Sequence, residues 1–104
     1  MDTIRQVDTI LQAIEIGSTA IVRQLIADGH DANESSESGT YPIVAAASRN
    51  DFDMVKLLLS EQCDPNVKDA MGRTAVGWAT KWKNDQMLTL LHEHLQPPLP
   101  GLSK

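Results

Sequence analysis

The chain has 104 residues, of which 41% are apolar and 22% are charged, a composition typical of a folded globular domain. Its net charge of −5 is uneven, because residues 1–64 hold 11 acidic and 4 basic side chains, whereas residues 65–104 hold 3 acidic and 5 basic ones. The acidic half would repel a phosphate backbone, which disfavours nucleic-acid binding. We therefore expect a protein partner, and a partner with a basic patch would suit the acidic half.

Apolar runs such as residues 57–59 are far too short to span a bilayer, and the N-terminal residues show no secretory signal pattern. The lone cysteine, Cys63, cannot form an internal disulfide, which fits a reducing compartment. These features predict a cytoplasmic protein without membrane association, monomeric when free.

An internal repeat of 33 residues is the strongest pattern in the sequence. Ala13, Ala46 and Ala79 are spaced 33 apart, and a second row follows the same spacing: Leu25, Leu58 and Leu91. A fixed period of this size indicates a solenoid, in which each unit buries its apolar face against its neighbours. Such a chain usually provides a binding surface.

The first unit predicts two helices. The first is read from an apolar stripe with helical spacing, capped by Asp2 or Thr3 and ending near Gly17; the stripe consists of Ile4, Val7, Ile10, Leu11 and Ile14. The second begins after Ser18 and ends at Gly29, where glycine can take the left-handed conformation that closes a helix.

Four further helices are predicted along the remaining chain. The third opens at Pro42, the fourth covers about residues 52–61, the fifth about residues 74–82 and the sixth about residues 85–95. The repeat also brings three N-cap formers into register, 33 residues apart: Ser18, Asp51 and Asn84. Residues 96–104 contain three prolines and predict an extended tail, whose P-x-x-P spacing could dock in an aromatic groove or simply form a disordered end.

The middle unit resembles the ankyrin repeat. It reads GTYPIVAAA from Gly39 and VKLLLSEQCDPN from Val55, close to the signatures G-x-T-P-L-H-x-A-A and V-x-L-L-L-x-x-G-A-D-x-N. The resemblance implies an all-α solenoid of three helix-turn-helix units joined by β-turn loops. The repeats are expected at about residues 1–35, 36–68 and 69–95, with the terminal ones acting as caps of a complete three-repeat protein.

Several positions depart from the family pattern. Val44 and Gly77 stand where the family usually has a histidine that ties adjacent turns together, so that network should be absent or rearranged. Ala75 replaces the proline that opens the first helix of a unit. Asn50 and Gln62 replace helix-ending glycines, and asparagine tolerates the left-handed conformation better than glutamine does.

The resemblance also implies a concave binding face made by the turn tips and the first helix of each unit. Trp82 is the strongest candidate, because aromatic residues carry a large share of interface energy, and Trp78 shares its helix face. Alternatively, Trp78 packs inside and Trp82 covers the open end of the stack. Tyr41 could be a contact or a packing residue. The predicted protein-binding residues are Glu37, Ser38, Thr40, Tyr41, Ser48, Arg49, Met71, Arg73, Trp78, Lys81 and Trp82, with Ser36 and Ala70 also expected on this face.

Catalytic chemistry has little support in the sequence. His92 and His94 are two residues apart and point to different sides of a helix, unlike the i, i+4 histidines of a zinc protease. Cys63 takes the place of a small alanine in the family and is expected to be buried and inert. We expect neither enzyme activity nor a cofactor or metal. The sequence favours an adaptor or inhibitor that binds a protein, with a bacterial immunity-type protein that occludes a toxin as the alternative and a metal-dependent enzyme using His92 and His94 as a remote one.

Overall fold

A computed structural model describes residues 9–95 and contains six α-helices within that range. They are α1 (Ile10–Ile16), α2 (Thr19–Ala27), α3 (Pro42–Ser48), α4 (Phe52–Ser60), α5 (Ala75–Trp82) and α6 (Asp85–Leu95). Within residues 9–95 no strand is present, so the predicted all-α class is confirmed.

The predicted N-caps in the 33-residue register are confirmed. The side chains of Ser18, Asp51 and Asn84 accept hydrogen bonds from the backbone amides three residues further on, at 3.2, 3.2 and 3.0 Å. Each bond satisfies one of the amides that the first turn of a helix leaves without an intrahelical partner. Pro42 occupies the first position of α3, as predicted.

The start of the first helix differs from the prediction. A continuous helix from Ile4 is wrong, because Thr9 has extended backbone angles and caps α1, which begins at Ile10. Thr9 and Gln12 form a reciprocal capping box, in which each side chain accepts from the other residue's amide. The predicted caps Asp2 and Thr3 lie outside the described residues.

The helices form two layers. The inner layer consists of α1, α3 and α5, and the outer layer consists of α2, α4 and α6. Each inner helix packs as a hairpin with the outer helix that follows it. Ala13, Ala46 and Ala79 are fully buried in the inner layer. Because alanine has a single methyl group, this row allows neighbouring inner helices to approach closely, and the larger apolar side chains fill the space between the layers.

Adjacent turns are tied together by backbone and small side-chain contacts. The Ala70 amide donates to the Gly39 carbonyl at 3.2 Å, and the Asp64 amide donates to Asn33 Oδ1 at 3.2 Å. A Cβ atom on Gly39 would lie 2.9 Å from the Ala70 Cβ, and Gly39 also has φ +86°, so this turn requires glycine. Without the family histidine at Val44 and Gly77, these two bonds link adjacent turns.

Left-handed backbone conformations recur with the repeat. Gly17, Asn50 and Lys83 are 33 residues apart, each follows an inner helix, and their φ angles are +86°, +58° and +56°. Gln62 also has a positive φ, of 69°. Asn50 and Gln62 thus keep the left-handed conformation of the glycines that they replace, although glutamine tolerates it less well, and Lys83 adopts it too.

Replacing Lys83 by glycine should stabilise the fold by about 0.5–1 kcal/mol. A non-glycine residue in the left-handed backbone conformation costs about 1–2 kcal/mol, and part of the gain is lost because glycine raises the entropy of the unfolded chain. Urea denaturation measures the free energy of unfolding. The matched control is Lys56→Gly in the interior of α4, which should destabilise by up to about 1 kcal/mol. Equal destabilisation by both substitutions would contradict the strain at Lys83.

Candidate functional site

Nine residues of the inner layer form three rows. The three residues of each row occupy equivalent positions in the three repeats. We call the surface they make with the two turns at residues 34–40 and 69–73 the inner face. The rows are Gln12, Ala45 and Trp78; Glu15, Ser48 and Lys81; and Ile16, Arg49 and Trp82. All nine are exposed or half-buried, so the inner face is accessible along its length.

Charge is divided along this face. The first repeat contributes the exposed Glu15, and the turn that follows it contributes Glu34 and the exposed Glu37. The third repeat contributes the exposed cations Arg73 and Lys81. A depression of about 290 Å³ near Glu15 and Glu34 is otherwise lined by hydroxyl groups and small or apolar side chains. The face is therefore acidic at one end and cationic at the other.

Trp82 is partly exposed and is also bonded to the middle repeat. Its side chain is 46% exposed, and its indole Nε1–H donates to the Ser48 carbonyl at 3.2 Å. The hydrogen bond fixes the indole against the preceding repeat, and the exposed part remains free for contact. An aromatic side chain held in this way loses little conformational freedom when a partner binds.

Trp78 lies beneath two cationic side chains. The guanidinium carbon of Arg73 is 5.6 Å from the centroid of its ring, and the Lys81 ammonium is 5.5 Å from it, both within cation–π range. The indole is half-buried and packs against the core. It borders a cavity of about 290 Å³ that we call the α5 cleft; its lining residues are Gly72, Arg73, Thr74, Gly77, Trp78 and Lys81.

The structure places the other predicted site residues unevenly. Met71, 75% exposed, and Glu37, Ser38, Arg49 and Ala70 lie on the surface as expected. Expected exposure is wrong for three residues, which are half-buried because their polar groups serve the fold: Ser36, Thr40 and Ser48. The Ser36 hydroxyl accepts from two turn amides, at Ser38 and Thr40. Tyr41 is half-buried against the core.

The sequence interpretation missed one exposed apolar residue. Ile16 is 59% exposed and stands in the row of Arg49 and Trp82, on the inner face of the first repeat. The 33-residue register contains this signal, since Ile16 precedes Arg49 by the repeat length. It was missed because Ile16 follows several apolar residues of α1, so its residue type alone suggests a buried position.

Two larger depressions, of about 440 Å³ each, lie on the outer layer. One is lined by residues of α4 and α6 that include Phe52, Lys56 and Glu93, and the other by residues of α2 and α4 that include Arg23 and Asp53. Each depression is lined by both acidic and basic side chains, and neither depression is lined by a tryptophan or a cysteine. The inner face carries the more distinctive chemistry.

Residues proposed for catalysis do not assemble. His92 and His94 are exposed on α6, and His94 Nδ1 is 3.1 Å from the Leu90 carbonyl. Within residues 9–95, no group of three or more His, Cys, Asp or Glu side chains is arranged to hold a metal ion. No helix in that range is long and apolar enough to cross a membrane.

Asp69 organises the turn that leads into α5. Its Oδ1 accepts from the amides of Met71 and Arg73 at 2.9 and 2.8 Å, and its Oδ2 accepts from Arg73 Nε at 2.9 Å. Burial alone would raise the pKa of this carboxyl, but the hydrogen bonds from Arg73 and Met71, together with the Arg73 charge, lower it below 3.8. This turn holds Arg73 at the edge of the α5 cleft.

Comparison with known proteins agrees with this architecture. A family model for ankyrin repeats in three copies matches residues 10–98. The chain is 28% identical to a putative ankyrin repeat-containing protein of Treponema pallidum (strain Nichols) over 87 residues, which cover 84% of the chain. It is 32% identical to BCL-6 corepressor-like protein 1 of Homo sapiens over 84 residues, which cover 81% of the chain. The chain spans only 29% and 4% of the length of these two relatives.

The repeated helical hairpins and the continuous inner face define an α-helical solenoid. The chain belongs to the ankyrin repeat family, as its sequence predicts. Ankyrin repeats are in general protein–protein interaction modules, and the family is typically non-enzymatic.

The acid stability of the fold should depend on Asp69. Because the native pKa is depressed, the carboxylate stabilises the fold fully above its unfolded pKa, and this contribution is lost as the pH falls through the native pKa. Asp69→Asn should therefore lower the free energy of unfolding at pH 7, and the difference from wild type should shrink in acid. Urea titrations across pH measure this, with the exposed Glu61→Gln as the control. A difference that persisted unchanged below pH 3 would contradict the role of the charge.

Cys63 should react slowly in the folded protein. Its side chain is 5% exposed, and burial, followed by the Asp64 charge, raises the pKa of the thiol from 9.0 to about 12. Near pH 8 the thiolate fraction should therefore be roughly a thousandfold below that of an unfolded thiol. Labelling with a disulfide reagent in the presence and absence of urea tests this, and native labelling at the unfolded rate would contradict it.

Proposed function

We propose that this protein is a non-enzymatic interaction module that binds a protein partner through the inner face and acts as an adaptor or an inhibitor. The observation that carries the proposal is the row of Ile16, Arg49 and Trp82, in which each repeat presents one large exposed side chain at the same position. Trp and Arg are the residue types most enriched among interface hot spots.

The rigidity of the inner face supports binding without rearrangement. Trp82 is fixed to the middle repeat by its bond to the Ser48 carbonyl, and Asn84 Nδ2 donates to Asn50 Oδ1 at 2.9 Å beside it. These two contacts bridge the second and third repeats at the end of the inner helices. A partner that meets both repeats therefore finds a surface already assembled, which reduces the ordering cost of association.

The mechanism is occlusion or tethering by surface complementarity. The exposed Met71 at the tip of the second turn supplies an adaptable apolar contact beside the row. The carboxylates of the first repeat favour cationic groups on the partner, which sets the orientation of docking more than its strength. Neither step requires a cofactor.

Truncation of Arg49 and Trp82 should abolish capture of the partner. Removing one hot spot costs about 2 kcal/mol or more, so each substitution to alanine should weaken binding roughly thirtyfold or more. Pull-down with tagged protein, followed by mass spectrometry and titration of the captured protein, measures the loss.

The control variant is Lys56→Ala with Gln86→Ala, which removes two exposed side chains from the outer layer. Circular dichroism must show that both double variants fold. If the captured partner bound the Arg49, Trp82 variant as tightly as wild type while the outer-layer variant lost it, the inner face would be the wrong site.

A further inference from the structure

Gly77 lines the α5 cleft without a side chain. The equivalent residue of the middle repeat, Val44, is 2% exposed and fills the space beside α3. At Gly77, an added Cβ would meet only Thr74 Oγ1, at 3.4 Å, within a 4 Å radius. The position that is buried in the middle repeat thus borders an open cleft in the third repeat, beside Trp78.

Both charged groups that line the cleft are cations. Lys81 is exposed and lies over the Trp78 ring, and Arg73 lies over the same ring. The ion pair with Asp69 uses Arg73 Nε, whereas a guanidinium has five N–H donors, so most of its hydrogen-bonding capacity lies outside that pair. Its position is fixed by the turn, and its side chain is 53% exposed.

We propose that the α5 cleft binds a carboxylate of the protein partner, supplied by an aspartate- or glutamate-rich segment. This inference rests on the proposed function and specifies the chemistry of the partner at one end of the inner face. Arg73 and Lys81 pair with the carboxylates, and the Gly77 backbone leaves room for the segment to approach the indole edge. Arg is well suited to this task because its planar fork matches a carboxylate.

The charge distribution favours an acidic protein segment over nucleic acid. A polyanion that lay along the inner face from the cleft would meet Glu15, Glu34 and Glu37, and the chain as a whole carries −5. A short acidic segment occupies only the cationic end. Glu15 lies on α1, two inner helices from α5, and inner helices packed about 8–10 Å apart place it about 20 Å from the cleft, beyond the screening length at physiological salt.

The test is an NMR titration of the isotope-labelled protein with three blocked pentapeptides, EELEE, QQLQQ and KKLKK. EELEE should shift the Trp78 indole N–H and the Gly72 and Gly77 amides in a saturable way, and QQLQQ should bind at least tenfold more weakly. Raising NaCl from about 50 mM to about 500 mM should weaken the EELEE complex, because exposed charges are screened.

Three variants locate the effect. The double variant Arg73→Gln, Lys81→Gln should lose EELEE binding at least tenfold, and Gly77→Val, which restores the side chain of the middle repeat, should close the cleft with the same result. Lys56→Gln removes one positive charge from the outer layer and should leave binding unchanged.

The inference is overturned if EELEE gives no saturable shift, or if QQLQQ or KKLKK binds as tightly. It is also overturned if a thymidine hexanucleotide, titrated in the same way, binds as tightly as EELEE, or if the cleft variants bind EELEE like wild type. A partner captured in the pull-down distinguishes this failure from that of the proposed function. If such a partner is lost by the Arg49, Trp82 variant but held by the Arg73, Lys81 variant with unchanged affinity, the module binds through the inner face without using the cleft for a carboxylate.

Discussion

Close packing of the inner helices at three alanines is the constraint on which the rest of the structure depends. Ala13, Ala46 and Ala79 have no exposed surface, so a larger side chain at any of them would have to separate two helices or distort its own rotamer. The row holds α1, α3 and α5 in one register. It therefore determines which side chains share a surface, and Ile16, Arg49 and Trp82 lie in one line because the alanines three residues before them are in contact with the core.

Positions outside this constraint carry the individual chemistry of the molecule. Along one row of the inner face, Glu15 is followed by Ser48 and then by Lys81, so the charge changes sign over two repeats. Buried packing residues and accessible residues thus lie on different sides of each inner helix. One side packs the stack, and the other side is exposed or half-buried.

The periodic part of the fold was predictable from the sequence, and the deviations have local causes. Caps such as Asp51 follow from residue type and spacing, because a side-chain oxygen beside free amides is sufficient. The start of α1 was misplaced because the apolar stripe continues through Thr9, whereas the reciprocal bonds with Gln12 end the helix there. Lys83 shows that register outweighs residue type, since its conformation is imposed by the repeat. The half-burial of Ser48 could not be read from the sequence, because it depends on an indole 34 residues away.

Two positions that are buried in the middle repeat are open in the third repeat. In the middle repeat, Val44 and Ala47 are buried, whereas their equivalents Gly77 and Thr80 border open space or solvent. A side chain that packs against a neighbour must be apolar and shaped to fit, and neither glycine nor threonine offers such a surface. Beside Trp78, Gly77 leaves room and accessible backbone close to the positive charges of Arg73 and Lys81. A polar, negatively charged group gains more from that combination than an apolar one, since it replaces water at the cations and leaves no apolar surface unmatched.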